Sequence, residues 1–392
     1  MAFTSPIDIG KRACQHCGQF PFDAFNDDSR QATEINTCYD NLRLAELSRH
    51  TWSFSIRRCR VRAITTTTQL WTPPAYDNAT NYTVGQVVAS PAATYANSAD
   101  YLWVLLAPTD VGDTPELSSK WEHYFGPQTA DVFDGGATYA AGEIALVPPV
   151  YAGGTTYVKS AIVVDGSGNI WVSLVGSNTG NTPSSSPTYW TAWILPSSGQ
   201  ASTTPAIVYQ SAPTIFLSLA NNNQSTTLPG ASSNWVNVSG TVAQLTILWP
   251  QGSGPITDPK TINLYRLPNG WLRPSIVPVG NKQQSHPWLG ALYGAFPQDF
   301  TYLGDYFTAW GLGPYDIDFV ADIADVLEMA PQFCESLAVR IGLEIDGPLT
   351  ESKNTQKLEN AYKRITGEAM RVDAIVQGTP TADLEEFVRV RL

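Results

Sequence analysis

The sequence predicts an α+β fold: a four-helix core with a small β element, interrupted by an all-β insertion of small repeated modules. Three observations predict it. Apolar residues recur at helical spacing at both ends of the chain. Between Trp71 and Pro250 the cations fall to Lys120 and Lys159, against ten carboxylates. That same stretch holds eight of the twelve tryptophans and three similar segments, each closed by a Trp.

The elements follow in order. Ile9, Ala13 and Cys17 mark one face of a first helix, stopped by Gly18. A second helix starts at Asp28 or Ser29, either able to cap free backbone N–H groups, and buries Ala32, Ile35, Tyr39 and Leu42 before ending near His50. The alternation in TWSFSIRRCRVRAI then predicts a strand. At the other end, Phe333, Leu337 and Ile341 repeat every four residues after Pro331, a residue suited to a first helical turn. Leu358, Tyr362, Ile365, Ala369, Val372 and Val376 form an apolar seam in a last helix, ended by Gly378 and Pro380. Two helices from each end make the four-helix core. The expected division is 1–70 and 241–378 for the core, 71–240 for the insertion (modules near 71–125, 130–195 and 200–240), and 379–392 for a tail.

Composition excludes several function classes. At 392 residues the chain has room for two or three domains with cores of their own. A net charge of −12 argues against gripping DNA or anionic membrane, because that grip comes from Lys and Arg on phosphates. The start has no apolar stretch of signal-peptide type, and no run is long and apolar enough to span a bilayer. Cys14 and Cys17 form a CxxC, yet with four histidines and no second CxxC a tetrahedral metal site lacks ligands. The five cysteines (Cys14, Cys17, Cys38, Cys59, Cys334) read as reduced core thiols, with no metal and no cofactor expected. Asp316, Asp318, Asp322 and Asp325 alternate along a strand and cap and read as a solvated face, so no catalytic carboxylate pair is assigned and an enzyme is not expected.

The middle repeats itself. LWVLLAPTDVGDTPELSSKW (102–121), IWVSLVGSNTGNTPSSSPTYW (170–190) and IFLSLANNNQSTTLPGASSNW (215–235) each carry an aromatic, a Leu three residues on, a Pro-containing loop and a closing Trp. The aromatic-to-Trp distances are 18, 19 and 19 residues. Tyr82/Gly85 and Tyr139/Gly142 share a Tyr-x-x-Gly ahead of the first two, and the third reads as a degenerate copy. This pattern resembles the small chitin- and cellulose-type carbohydrate-binding modules, families 5 and 12. The resemblance implies sugar stacking on Trp103, Trp121, Trp171 and Trp190. The other reading is that each Trp fills the core of a small module.

The flanks resemble a second family. DIGKRACQHCGQFPFDAFNDDS with Gly18, Asp28, Ser29, Trp52 and Phe54, the segment NLYRLPNGWLRPSIVP (263–278), and DIDFVADIADVLEMAPQFCESLAVRIGLEI are similar to the head–tail adaptors of short-tailed phages, the tail tubular protein A family. The resemblance covers residues 1–70 and about 240–392. It implies a homo-oligomeric ring, usually a dodecamer, below a portal protein. Tail nozzle or fibre proteins would lie beneath it, and genomic DNA would pass through without specific binding. It places the chain in a virion tail assembled in host cytoplasm, with no membrane partner. It also implies that the apolar, alternating end docks on the portal through Leu384, Phe387, Val388, Arg389, Val390, Arg391 and Leu392. The alternative function is a glycan-binding tail or fibre protein acting through the inserted modules.

Overall fold

The computed structural model describes residues 3–91, 100–108, 112–115, 117–193, 207–224, 228–247, 262–275, 301–310 and 314–376. Four helices lie in these residues: α1 (Pro6–His16), α2 (Arg30–Arg49), α3 (Pro331–Thr350) and α4 (Thr355–Val376). The first strands are β1 (Ile56–Val61), β2 (Gln69–Thr72), β3 (Val87–Pro91), β4 (Asp100–Leu105), β5 (Trp121–His123) and β6 (Thr129–Val132). The next are β7 (Ile144–Val147), β8 (Ile162–Val164), β9 (Ile170–Ser173), β10 (Trp190–Ala192), β11 (Thr214–Ser218) and β12 (Trp235–Asn237). The last are β13 (Thr241–Gln244), β14 (Ile262–Arg266), β15 (Trp271–Pro274), β16 (Thr301–Leu303), β17 (Tyr306–Trp310) and β18 (Tyr315–Ala321).

Local chemistry explains the helix ends. Ser5 and Asp8 form a capping box on α1, and Gly18 ends that segment at φ +70°. Ser29 Oγ accepts the Ala32 N–H at 3.2 Å and caps α2. Pro331 opens α3.

The helices do not form the expected four-helix core. α3 is the hub: α1, α2 and α4 each pack on it, whereas α1 and α2 barely meet. The reason lies in α3 itself, which buries Phe333, Leu337, Ile341 and Ile345 but also Cys334, Ala338, Val339 and Gly342. A helix apolar on more than one face needs more than one neighbour, and a three-stranded sheet ordered β1-β18-β15 shares its core with the helices. Gly342 lets α1 cross closely, since a Cβ there would lie 3.3 Å from the Ala13 carbonyl oxygen. The α4 seam buries Leu358 and Ala369 but leaves Val376 exposed at its end. The described fold is mostly β, in five small sheets.

β1 and β18 pair antiparallel from Ile56↔Val320 to Val61↔Tyr315, so both ends of the chain build one core. The middle leaves and rejoins through β2 and β13, where Thr72 faces Thr241. β13 edges, with β2 beside it, a six-stranded sheet ordered β12-β11-β7-β6-β2-β13.

Candidate functional site

Each repeated segment builds the same small module, and its centre is an aromatic trio. In the first, Tyr76 stacks on Tyr82 at 5.7 Å and both meet the edge of Trp121 at 6.1 and 5.3 Å. In the second trio Phe133 stacks on Tyr139 at 5.7 Å, with Trp235 edge-on at 5.9 and 5.1 Å. In the third, Tyr151 stacks on Tyr157 at 5.6 Å, with Trp190 edge-on at 5.8 and 5.2 Å. The backbone repeats too. The residue after the first aromatic donates its N–H to the tyrosine hydroxyl: Asp77 to Tyr82 at 2.7 Å, Asp134 to Tyr139 at 3.0 Å, Ala152 to Tyr157 at 2.7 Å.

The connectivity differs from three modules in a row. Segment 215–235 completes a module opened by residues 133–147, because β11 pairs with β7 as well as β12. The module of β8, β9 and β10 is nested between β7 and β11. Tyr139 and Gly142 therefore belong to segment 215–235, which is not the degenerate copy expected. The turn of the 170–190 module carries Ser160, at φ +68°, where the others have Gly85 (φ +90°) and Gly142 (φ +85°). The spacing of six residues from first aromatic to tyrosine (Tyr76/Tyr82, Phe133/Tyr139, Tyr151/Tyr157) is the sequence signal that finds all three.

This geometry redefines the four tryptophans. Trp121 and Trp190 close their trios and are 5% and 1% exposed. Trp103, 1% exposed, packs edge-on to His123 at 4.1 Å. Rings so enclosed have no face to offer a sugar, and the physical cause is the one that small size imposes: a module of three short strands needs its large aromatics as core. Trp171 differs. It is half-buried, and its indole N–H donates to Asp165 Oδ2 at 2.8 Å.

The charged residues at the junction are mutually paired. Arg58 binds Asp318 through two bonds at 2.7 and 2.9 Å, and Arg60 binds Asp316 at 2.7 and 2.8 Å. The expected solvated acidic face is therefore a cross-strand ladder of ion pairs, produced by the facing of β1 and β18. Asp322 takes the buried guanidinium of Arg43, and Asp325 caps a short helical turn by accepting the Leu327 N–H at 2.9 Å. Arg62 reaches into the insertion, bonding Glu143 at 2.9 Å and the Thr138 carbonyl at 2.7 Å while lying 4.6 Å over the Tyr139 ring. Nearby, Asp131 accepts hydroxyls from Thr65 at 2.5 Å, Thr67, and Thr68 at 3.3 Å, plus the Val132 N–H at 2.8 Å. Burial pushes its carboxyl pKa up despite those bonds.

The thiols are buried core, apart from half-buried Cys38, and none is in a disulfide. Burial pushes Cys14 up to about 11 and Cys17 up to about 12, and Cys17 Sγ–H donates to the Gly342 carbonyl at 3.0 Å. Among the described residues no cluster of three His, Cys, Asp or Glu is placed to hold a metal.

The β14–β15 segment of the adaptor-like stretch, whose two strands join different sheets, lines a cleft of about 810 Å³ with Trp271, Arg266, Arg273, Tyr302, Asp305 and Asp322. Trp271 stacks on Phe319 at 5.3 Å, and Arg273 donates to the Ser48 carbonyl at 2.7 Å and Thr51 Oγ1 at 3.0 Å. Leu384, Phe387, Val388, Arg389, Val390, Arg391 and Leu392 lie outside the described residues. Among known proteins, no family model and no curated sequence matches the chain.

Proposed function

We propose that the chain is a structural head-to-tail connector of a tailed phage, a ring below the portal that extends the DNA channel and joins it to the tail. One observation carries this reading. The two stretches that bear the adaptor-like motifs, far apart in sequence, interlock in one core through β1 against β18 and α1 and α2 against α3. The modules then hang from that core as an arm. Two further features support it. The arginines of β1 are held by carboxylates, so the acidic excess leaves duplex DNA unattracted. The last turn of α4 presents Ile375 and Val376 to solvent, an apolar start for the segment assigned to the portal.

Negative-stain images and mass photometry of the purified full chain test this. Closed rings of about a dozen copies, formed alone or on added portal, are the expected result. A monomer at tens of micromolar, with and without portal, overturns it. Deleting residues 379–392 should leave the fold and abolish portal capture; full capture by the shortened chain removes the docking assignment.

A second reading, glycan binding by the arm, is favoured by Trp171, the half-buried ring among the four candidates. Chitin oligosaccharide should then shift tryptophan fluorescence in the full chain, and Trp171→Ala should abolish the shift. An unchanged shift in that variant excludes this site.

A further inference from the structure

The three modules carry the same exposed leucine. Leu106, Leu174 and Leu219 follow the central strand of each module and are 52%, 39% and 43% exposed. Each donates its backbone N–H to the closing strand's approach: Leu106 to the Lys120 carbonyl, Leu174 to Tyr189, Leu219 to Asn234, at 2.8, 2.9 and 2.8 Å. The modules also share the positive-φ turn at Gly85, Gly142 and Ser160.

Inside the chain, one such leucine already sits on one such turn. A Cβ on Gly85 would lie 2.6 Å from Leu219 Cδ2 and 2.7 Å from Val236 Cγ1, so the first module's turn receives the next module's leucine only because it is glycine. Behind that contact the aliphatic faces of the two modules share a core of Val87, Leu102, Ile144, Leu146, Ile215 and Leu217. The contact is therefore a demonstrated way for these modules to dock.

Among the described residues one turn and two leucines are left over. Nothing among the described residues comes within 4 Å of where a Cβ on Gly142 would stand, and the neighbouring Ala141 is exposed. Ser160 already carries a side chain at its turn, and its carbonyl accepts the Val208 N–H. Leu106 lies beside Lys120, whose ammonium pairs with Asp113 and keeps that spot polar. Leu174 lies instead beside Tyr189, itself 40% exposed, so the nested module holds the more apolar of the two. We infer that Leu174 and Tyr189 of one copy dock on the Gly142 turn of a second copy, repeating between chains the contact that Leu219 and Gly85 make within one. The two surfaces are different, so the contact is heterologous and propagates from copy to copy. It rests on the connector reading only for the closing of that series into a ring.

The test uses the full chain. Leu174→Asp and Ala141→Arg change exposed positions and should leave the circular dichroism spectrum intact while weakening self-association at least tenfold in sedimentation. A second variant, Leu174→Cys with Ala141→Cys, should give a ladder of covalent multimers on mild oxidation, read on a denaturing gel without reductant. Unchanged association in both charge variants, or no ladder, overturns the inference. Rings without the ladder leave the connector reading and remove this contact; a ladder without rings does the reverse.

Discussion

Gly85 and Gly142 occupy the same turn of two modules, yet an added methyl group meets different surroundings at each. Both sit at positive φ, where a Cβ costs about 1–2 kcal/mol. At Gly142 that is the whole cost, because no described residue stands within 4 Å of the added methyl. At Gly85 the methyl also drives into Leu219 and Val236, and overpacking adds about 1–3 kcal/mol. Gly85→Ala should thus be the more destabilising in urea denaturation; equal effects would show that the Leu219 contact yields freely. Trp190→Ala, which opens a closed trio, should cost about 3–5 kcal/mol. His123 gives a prediction in pH. It is buried between Tyr101, Trp103 and Phe125, and burial, helped by Arg43 and Arg57, pushes its imidazole pKa down to about 3. The unfolded chain takes up that proton near 6.5, so stability present in full above that pH is lost as pH falls toward 3. His123→Phe should flatten the dependence between those limits by up to about 1.4 kcal/mol per pH unit. An identical slope in urea titrations of both proteins would show that the imidazole is already charged when folded.

Strand β1 and the residue just past its end show how position sets the worth of similar ion pairs. Arg60 and Asp316 are both substantially exposed, at 30% and 42%, so Arg60→Ala should cost less than about 1 kcal/mol. Arg62 pairs with Glu143, which is 3% exposed and would be left buried without its cation. Arg62→Ala should cost about 1–3 kcal/mol, and adding Glu143→Gln should recover part of it. Chemical denaturation of the three variants checks the order; equal losses for Arg60 and Arg62 would mean that burial does not decide the matter. The helices were legible because their signals are local: Ser29 caps α2, Pro331 opens α3, and the apolar residues recur every three or four positions. The ladder was not, since nothing in RRCRVR says that its partner strand lies some 260 residues on. Ser160 hid the nested module's turn for a related reason, and Gly142 was credited to the wrong segment. Sequence pattern looks for glycine at positive φ, while the surrounding module holds a serine there.

At the scale of the whole molecule, the nested arrangement turns on which residues face each other where the chain leaves and returns. The expectation of a four-helix core failed because helix periodicity reports which face is buried and not what buries it, and in α3 the partner on one side is a sheet. The repeats were legible as repeats, but pairing 133–147 with 215–235 required a long-range ladder that no spacing encodes. That ladder makes a strong prediction about excision. Val147 and Thr214 are register partners, so residues 148–213 enter and leave at one point and a two-residue Asn-Gly turn can close the gap. The loss would uncover Val132, which packs with Ile162 and Val172, and the Phe133–Trp235 group, which packs with Val164 and Ile170. Thr72 and Thr241 likewise face each other, so 73–240 can be closed in the same way. That larger cut, however, removes Phe125 and Tyr101, which pack in the main core, with Phe125 against Gly270 and beneath Arg57. The short excision should therefore keep a cooperative transition at a somewhat lower Tm, and the long one should keep its helical circular dichroism with a larger drop. Calorimetry of both proteins beside the full chain decides it: a short-excision protein less stable than the long would mean that Phe125 and Tyr101 do not stabilise the main core.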